Sequence, residues 1–371
     1  MKIIHIANFY GPKSGGIKTT VHNLGLGYQA QGHEFILIVP GKKFARETSE
    51  VGGCITLPSW NIPFSGGYRI IKSTRQVKMM LGSLKPDRIE VSDRFTLTSL
   101  GKWAKRREIP AFVFSHETLK GLIKNYVGVS FNQIVKWHNT KLASKFDYVI
   151  TTTKFASSEF QEIGATNLVQ IPLGVDLTNF SPHNFNPELR KKMLKGGDVL
   201  LVHCGRLSPE KKPERSIQAL RELLARGISA RLVFIGSGPL HKKLYNSSRD
   251  IPVTFWGYVA SKKLLAEMIA SADISLAPGP IETFCLAALE SLASGTPVVA
   301  SSTSAVGEFL TTSDGKSVGL TAANNGCAFA DAIEQLLQSA RTDKTLRTRC
   351  RTQAEQFPWT RTISDLHQLV A

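Results

Sequence analysis

Short apolar runs alternate with amphipathic stretches along almost the whole chain. Lys2–Ala7 and Phe35–Val39 predict strands, and Thr19–Gln31 predicts a helix between them, with Gly32 as its stop. The pattern recurs to the end of the chain, with further strands predicted over 111–114, 148–151, 199–203, 231–235, 274–277 and 297–300 and a helix over 213–226. Continuous apolar strands separated by helices are typical of parallel sheets covered on both faces, so the fold class is α/β.

The length of the chain favours two domains, because 371 residues exceed one ordinary core. Residues 172–198 are rich in proline and glycine and hold a basic run, which is typical of a connecting segment. We predict a first domain over 1–180 and a second over 181–356. The amphipathic tail 357–371 is expected to pack back on the first domain.

The formal net charge of +17 indicates an anionic partner. Residues 1–180 carry 23 Lys and Arg against 12 Asp and Glu, while the remainder carries 23 against 17, so the first half is the more basic. Nucleic acid, an anionic membrane and a phosphorylated substrate all fit this charge.

The five cysteines are odd in number and form no C-x-x-C pair, which disfavours a disulfide framework or a zinc site and fits a reducing cytosol. The N-terminus lacks the apolar stretch of a signal peptide, and no run approaches 18 apolar residues. Any membrane contact is therefore expected to be peripheral.

The segment Ala277–Val299 carries two glutamates in a distinctive setting. A strand is predicted to end at Pro278 and a helix to begin near Thr283, which would put Glu282 beside the free amides of a helix N-terminus. Glu290 would follow about 80° around that helix and about 12 Å along it. Such a span suits a ligand with a phosphate between two polyol ends. Two glutamates alone would more often be a helix cap and a surface residue, but the flanking segment favours a ligand site.

This segment resembles the E-x7-E signature of retaining glycosyltransferase family 4. That resemblance implies the GT-B fold, in which two Rossmann-like domains face each other across a cleft. It also implies that Glu282 contacts the donor sugar and Glu290 the nucleotide ribose. The main chain that would meet the diphosphate or the sugar is that of Thr283, Phe284, Cys285 and Leu286.

A second motif, His203–Pro213, follows the first strand of the second half and carries Arg206 and Lys211. An Arg and a Lys on such a loop suit a diphosphate leaving group, although a solvated basic loop would look the same in isolation. The resemblance implies that Arg206 and Lys211 clamp the diphosphate and, with Glu282, serve catalysis. No D-x-D occurs in the chain, which agrees with transfer that needs neither a metal nor a cofactor.

Residues of the first half fit the family pattern less specifically. Phe9–Thr20 is a Gly-rich turn but not G-x-G-x-x-G, so it does not indicate a dinucleotide site. The resemblance implies that Gly15 and Gly16 approach the donor and that Lys18 lies near the acceptor.

Three further positions carry over from the family. His116 follows a strand and would contact the donor sugar near the reacting centre, although a lone histidine is more often structural. Asp93 follows another strand and would face the acceptor. Gly257, Tyr258 and Val259 would border the nucleotide base, with a buried aromatic strand end as the alternative.

The chain is most similar, within family 4, to PimC-like phosphatidylinositol-mannoside mannosyltransferases. The matching runs include residues 8–16, 32–41, 62–69, 90–97, 163–177 and 201–208. The resemblance implies GDP-mannose as donor and a phosphatidylinositol mannoside as acceptor, at the cytoplasmic face of the cell membrane. Cations interleave with apolar residues over 120–145 and again over 60–72, and either segment could meet an anionic membrane surface, although an ordinary helix pair with a solvated basic face explains 120–145 equally well.

Other classes of function remain open at this point. One is a GT-B enzyme that uses a UDP- or ADP-hexose and a soluble acceptor. Another is a nucleic-acid or anionic-surface binder, for which the charge is the only support because no nucleic-acid module occurs. A third is a sugar-nucleotide binder without activity, which the intact motifs disfavour.

Overall fold

The structure, a computed structural model, describes residues 1–11, 15–62, 67–127 and 131–370, which form two units. Unit 1 comprises Met1–Leu173 with Trp359–Ala371, and unit 2 comprises Gly174–Pro358. Parts of the predicted segments 9–20, 60–72 and 120–145 lie outside the described residues. Among the described residues, no helix is both long and apolar enough to cross a bilayer.

The connection between the units differs from the predicted boundary at 180/181. The amide of Val175 donates to the carbonyl of Phe357 at 2.9 Å. Arg351 Nη1 donates to the carbonyls of Leu177 and Phe180 at 3.1 and 2.6 Å. Residues 174–180 therefore belong to unit 2, because their backbone groups are bonded there.

Unit 1 contains a mainly parallel sheet. Its described strands are β1 (Lys2–Ala7), β2 (Glu34–Gly41), β3 (Ala45–Ser49), β4 (Gly52–Asn61), β5 (Arg69–Ile71), β6 (Arg88–Ser92), β7 (Ala111–Phe114), β8 (Tyr148–Thr151) and β9 (Leu168–Gln170). The order is β3-β4-β2-β1-β6-β7-β8-β9, with β5 paired to β4. Only the β3–β4 and β4–β5 pairs of this described sheet are antiparallel.

The helices of unit 1 cover both faces of its sheet. Those before residue 173 are α1 (Gly16–Ala30), α2 (Thr74–Leu84), α3 (Ser99–Lys105), α4 (Leu119–Val127), α5 (Asn132–Ala143) and α6 (Lys154–Gln161). One apolar cluster includes Ile4, Ile6, Val77 and Leu100, and the other includes Ile3, Val21, Leu24 and Tyr28. Alternate residues of β1 thus enter opposite layers, as the two-residue period of a strand requires.

Unit 2 contains a parallel sheet of six strands. They are β10 (Val199–Cys204), β11 (Ala230–Ile235), β12 (Val253–Gly257), β13 (Ile274–Ala277), β14 (Val298–Ser301) and β15 (Gly319–Ala322), in the order β12-β11-β10-β13-β14-β15. The helices are α7 (Pro187–Leu194), α8 (Glu214–Ala225), α9 (His241–Ser247), α10 (Lys262–Ala270), α11 (Leu286–Ala293), α12 (Gly326–Thr342) and α13 (Leu346–Ala354). This is the strand order of a doubly wound Rossmann sheet. In unit 1 the strands β4-β2-β1-β6-β7-β8 follow the same order.

The last helix, α14 (Trp359–Gln368), lies in unit 1. Its residues Ile363 and Leu366 are buried in the cluster that contains Ile3 and Tyr28. Gly27 of α1 leaves the necessary space, because a Cβ there would lie 1.8 Å from Ile363 Cδ1. The C-terminal helix α14 therefore packs over the sheet to which the first strand, β1, belongs.

Shortening the apolar face of α14 should destabilise unit 1. We expect Leu366→Ala to lower the free energy of unfolding of unit 1 by about 2–5 kcal/mol, because Leu366 is fully buried. The measurement is urea unfolding of the whole chain followed by circular dichroism. Leu26→Ala is the matched control, since Leu26 is 46% exposed and should change the free energy by less than about 0.5 kcal/mol. Equal losses for the two variants would contradict the docking of α14.

Candidate functional site

Several predicted site residues of each unit lie beyond the carboxyl ends of the strands between which the strand order reverses. In unit 2 the reversal lies between β10 and β13, and in unit 1 it lies between β1 and β6. Loops that leave two such neighbouring strands diverge to opposite faces and leave a crevice between them, which is the general ligand site of open α/β sheets. Arg206, Lys211 and Glu282 of unit 2 and Gly15 and Asp93 of unit 1 lie in these loops, whereas His116 follows β7 and Tyr258 follows β12.

In unit 2, the loop after β10 carries Arg206 and Lys211. Gly236 and Gly238 allow this loop to lie close to the end of β11. A Cβ at Gly236 would be 1.9 Å from the carbonyl oxygen of Gly205, and one at Gly238 would be 2.3 Å from that of Leu207. These two glycines are therefore structural, and they support the loop that carries both cations.

Lys211 forms an ion pair with Glu282 in the loop after β13. Lys211 Nζ lies 2.5 Å from Glu282 Oε1, with the two side chains 35% and 12% exposed. Burial alone would lower the pKa of the Lys211 ammonium, but the Glu282 carboxylate raises that pKa above its usual range. Gly279 makes room for this carboxylate, because a Cβ there would be 2.7 Å from Glu282 Oε1. The structure thus brings together two residues that the sequence predicted separately.

The predicted start of the following helix is wrong. The helix α11 begins at Leu286, not at Thr283, and Cys285 before it has a left-handed backbone with φ of 69°. The reason is that Phe284 turns inward and packs against Phe309 and Phe357, at ring distances of 5.6 and 6.4 Å. Glu282 therefore precedes the helix, and the helical spacing expected between it and Glu290 does not apply.

The short helix α11 still offers amides to a ligand. The first N–H groups of any helix lack intrahelical acceptors, and no side chain caps α11. Thr283 is buried, and burial raises the pKa of the Cys285 thiol to about 12, so the thiol is not ionised at neutral pH. Strained left-handed backbone at a non-glycine residue is concentrated at functional sites.

Glu290 lies within α11 and is only partly exposed. Burial raises the pKa of its carboxyl to about 8; nearby Lys262 opposes this rise and Asp176 adds to it. Lys262 Nζ is 3.5 Å from Asp176 Oδ2. Among the described residues no hydrogen bond to the Glu290 carboxylate is found, so both of its oxygens can accept hydroxyl groups of a ligand.

The segment predicted to border a base ends β12. Gly257 has a φ of 87°, and its carbonyl accepts the amide of Gly236 at 2.8 Å. Tyr258 is 50% exposed, while Val259 packs against the apolar cluster of β10 and β11. Of the three residues, Tyr258 offers the most side-chain surface to a ligand.

In unit 1, Gly15 and Gly16 lie at the N-terminus of α1. A Cβ at either position would meet nothing within 4 Å among the described residues, so neither their packing nor backbone strain requires glycine there. Lys18 lies in the first turn of the same helix and is partly exposed. The open space beside uncapped helical amides is suited to an anionic ligand.

His116 lies two residues beyond the end of β7, and its ring contacts Ser92 and Phe114. Its Nε2 lies 2.8 Å from Ser92 Oγ, and its ring stacks on Phe114 with an interplanar angle of 11°. Burial lowers the pKa of His116 to about 3. The ring is therefore neutral near pH 7, with one nitrogen that donates and one that accepts.

The arrangement around Asp93 does not support the predicted contact with an acceptor. Its side chain is 3% exposed, and its oxygens accept hydrogen bonds from Asn8 Nδ2, Thr96 Oγ1 and the amides of Phe95 and Thr96. Asn8 follows β1 and Asp93 follows β6, so this carboxylate joins the two strand ends at the reversal point.

Several residues that support the site were not predicted from the sequence. Arg215 Nη1 donates to the carbonyl of Pro278 at 2.8 Å. The charge of Lys262 lowers the pKa of Glu290 and so opposes the effect of burial. Ser92, His5 and Glu90 lie behind His116. The sequence did contain a signal for Ser92, His5 and Glu90, because polar residues inside apolar strands need buried partners. Lys262 had none.

The described residues contain no group of three or more His, Cys, Asp or Glu arranged to hold a metal ion. All five cysteines are free thiols.

Comparisons with known proteins agree with this geometry. Residues 14–179 match the model for glycosyltransferase family 4, and residues 185–357 match the model for glycosyl transferases group 1. A GDP-mannose-dependent alpha-(1-6)-phosphatidylinositol dimannoside mannosyltransferase of Mycobacterium tuberculosis is 43% identical over 368 residues, covering 99% of this chain and 95% of that protein. A GDP-mannose-dependent alpha-mannosyltransferase of Corynebacterium glutamicum is 26% identical, covering 81% and 72%.

A solved structure with the same fold is sucrose-phosphate synthase from Thermosynechococcus elongatus. It superposes with a TM-score of 0.78 at 20% identity and covers 100% of this chain and 98% of that one. The α/β architecture predicted from the sequence is confirmed. The chain belongs to the family 4 glycosyltransferases, and it is a glycosyltransferase with the GT-B fold.

Proposed function

We propose that this enzyme transfers mannose from GDP-mannose to a phosphatidylinositol mannoside, with retention at the anomeric carbon. The observation that supports the donor half best is the Lys211–Glu282 pair beside the start of α11. A cation for the diphosphate and a carboxylate for sugar hydroxyls are 2.5 Å apart there. The name of the mycobacterial relative, at 43% identity, supports mannose and the lipid acceptor.

The donor would bind to unit 2 with its parts in sequence along the loops. Glu290 accepts the ribose hydroxyls, and Tyr258 and its neighbours border the base. Arg206 and Lys211 bind the diphosphate together with the first amides of α11. Glu282 would then accept hydrogen bonds from sugar hydroxyls, and Lys211 would contact the phosphate. Before the donor binds, the ion pair keeps both side chains close to these positions.

Charge that develops on the departing diphosphate would be stabilised by these same groups. Cations and amides that are fixed before the reaction need no reorganisation as the bond breaks, which is the largest catalytic effect in many enzymes. We therefore expect transfer without a metal ion. In unit 1, Gly15 and Gly16 would approach the phosphate, Lys18 the acceptor, and His116 the donor sugar.

The acceptor would be met at the cytoplasmic face of the cell membrane through the outer face of α5, defined by Phe131, Ile134 and Trp137. These side chains are 44%, 56% and 58% exposed, and Lys141 Nζ lies 3.8 Å from the centre of the Trp137 ring. Exposed apolar groups flanked by lysines suit an anionic lipid surface. Trp60, which is 63% exposed, marks the other candidate segment, 60–72.

Removal of either diphosphate cation should reduce transfer. We expect Arg206→Ala and Lys211→Ala to lower kcat by about 10²–10³, the cost of losing one preorganised donor to a developing anion. The measurement is mannosyl transfer from GDP-mannose to a phosphatidylinositol-mannoside acceptor, with UDP-glucose and ADP-glucose as competing donors. Lys242→Ala, on the exposed face of α9, is the control and should leave the rate unchanged. Unchanged rates in both site variants would refute the diphosphate assignment, and a preference for UDP- or ADP-glucose would refute the proposed donor.

Donor affinity should rise with pH. Burial stabilises the neutral form of Glu290, whose pKa is raised to about 8, whereas ribose hydroxyls are best accepted by the carboxylate. The ionised fraction grows from about 10% at pH 7 to about 90% at pH 9, so the Kd for GDP-mannose should fall by about tenfold. Isothermal titration calorimetry checks this. Glu290→Gln should bind weakly with a flat pH profile, and a wild-type Kd that is constant over this range would contradict the role of Glu290.

Binding to anionic vesicles should depend on the outer face of α5. We expect Trp137→Ala to reduce co-sedimentation with phosphatidylglycerol vesicles, because an interfacial aromatic anchor is lost, while phosphatidylcholine vesicles bind neither protein. Trp60→Ala is the matched comparison and should bind as the wild type does. Reduced binding of Trp60→Ala alone would assign the contact to 60–72. If both variants bind as the wild type does, and bind phosphatidylcholine and phosphatidylglycerol vesicles equally, an anionic membrane surface of this kind would be contradicted.

A further inference from the structure

A row of buried polar side chains crosses the apolar layer beneath α1 and α14 and ends at His116. It consists of Arg88, Glu90 and Ser92 on β6 and of His5 on β1, and we call it the polar row. Each of these residues is at most 2% exposed. His5 lies opposite Glu90 in the parallel register of β1 and β6.

The contacts along the polar row are continuous. Arg88 Nη2 lies 2.8 Å from Glu90 Oε1, and Glu90 Oε2 lies 2.9 Å from His5 Nδ1. His5 Nε2 lies 2.8 Å from Ser92 Oγ, which in turn lies 2.8 Å from His116 Nε2. Tyr28 adds a hydrogen bond from its hydroxyl to Glu90 Oε1 at 2.7 Å.

The charges at one end of the polar row determine the direction of its hydrogen bonds. Burial alone would raise the pKa of Glu90, but Arg88 and the hydrogen bonds of His5 and Tyr28 lower it by more, and the pKa lies below its usual range. Glu90 is therefore a carboxylate and can only accept hydrogen bonds. His5 Nδ1 must therefore donate to it. Arg88 already balances the charge of Glu90, and a neutral His5 keeps the buried group neutral overall, which an apolar layer favours.

The direction is then passed on to His116. With its proton on Nδ1, His5 accepts at Nε2, so the Ser92 hydroxyl donates to His5. The oxygen of Ser92 has its proton committed and can only accept from His116, whose Nε2 must carry hydrogen. The other nitrogen of His116, Nδ1, then bears a lone pair and can only accept a hydrogen bond.

We propose that the polar row holds His116 in its Nε2–H tautomer, and that Ser92 and His5 are positioning residues for glycosyl transfer. The proposal rests on the proposed function in one respect, that His116 meets the donor sugar. Which nitrogen of a histidine carries the proton is commonly set by the partner of the other nitrogen. The aromatic stack with Phe114 fixes the plane of the ring, and Ser92 fixes its protonation pattern.

The tautomer can be measured independently of activity. The full-length protein is labelled with 15N-histidine, and the long-range 1H–15N spectrum of His116 is assigned from the signals that His116→Ala removes. We expect a protonated Nε2 and an unprotonated Nδ1 in the wild type, and a mixture of tautomers in Ser92→Ala. A wild-type ring with its proton on Nδ1, or a spectrum that Ser92→Ala leaves unchanged, would overturn the proposal.

Transfer kinetics provide the second measurement. Ser92→Ala should lower kcat on the order of tenfold with little change in the KM for GDP-mannose. Loss of the partner that orients a metal-bound histidine typically costs about 10- to 100-fold, and Ser92 has the same orienting role toward His116. Ser92→Thr retains the hydroxyl and should preserve both the tautomer and most of the rate. Ser157→Ala is the matched control, because it removes a buried hydroxyl, 2.7 Å from Thr151 Oγ1, without touching the polar row.

The outcomes separate the two proposals. Full activity of His116→Ala together with the expected spectrum would reject the assigned role of His116 and leave the tautomer assignment supported. An equal loss of kcat in Ser92→Ala and Ser157→Ala, with the His116 spectrum unchanged, would reduce Ser92 to a purely structural residue and overturn the inference.

Discussion

Parallel strands all end at one edge of a sheet, and this constraint determines where both units can bind ligands. Because the order of the parallel strands reverses between β1 and β6 in unit 1 and between β10 and β13 in unit 2, the loops after these strands diverge. Residues that are far apart in sequence meet at these points. The pairing of Lys211 with Glu282, 71 positions later, and of Asn8 with Asp93, 85 positions later, follows from this topology.

The two units meet this constraint with different chemistry. Unit 2 has a cation, a carboxylate and a short helix start at its crevice, which suits a diphosphate with sugar and ribose on either side. Its supporting residues are glycines and buried aromatics that hold the backbone. Unit 1 instead surrounds its strand ends with hydrogen-bonded side chains, of which Asp93 binds its own loop and Ser92 supports His116.

Buried charges organise the loop of His116 in unit 1. Arg94 Nη1 donates to Ser115 Oγ and to the carbonyl of Glu117, at 3.0 and 2.6 Å. Its partner Glu159 accepts the amides of Leu119 and Lys120 at the start of α4. Removal of either member of this buried pair would leave an uncompensated buried charge, so the loop of His116 depends on both Arg94 and Glu159. His116 is thus held by backbone anchors on one side and by the polar row on the other.

Much of the fold could be predicted from the sequence, because apolar runs and helical periodicity report local burial directly. The α/β class followed from these runs, and the cationic loop with Arg206 and Lys211 and the pair Glu282 and Glu290 followed from short motifs within single segments. Errors occurred where a local pattern had two explanations. The sequence predicted a helix from about Thr283, yet the burial of Phe284 against Phe309 and Phe357 delays the start of the helix to Leu286.

The sequence by itself determined which segments carry polar chemistry at strand ends, since those positions interrupt apolar runs. Only the tertiary structure decided what each residue faces. Asp93 and Ser92 are neighbours on one strand end, but successive side chains of a strand point in opposite directions. One therefore bonds to its own loop and the other to His5 and His116, across 87 and 24 positions of sequence. No local pattern contains that information, because such contacts exist only once β1, β6 and β7 are paired.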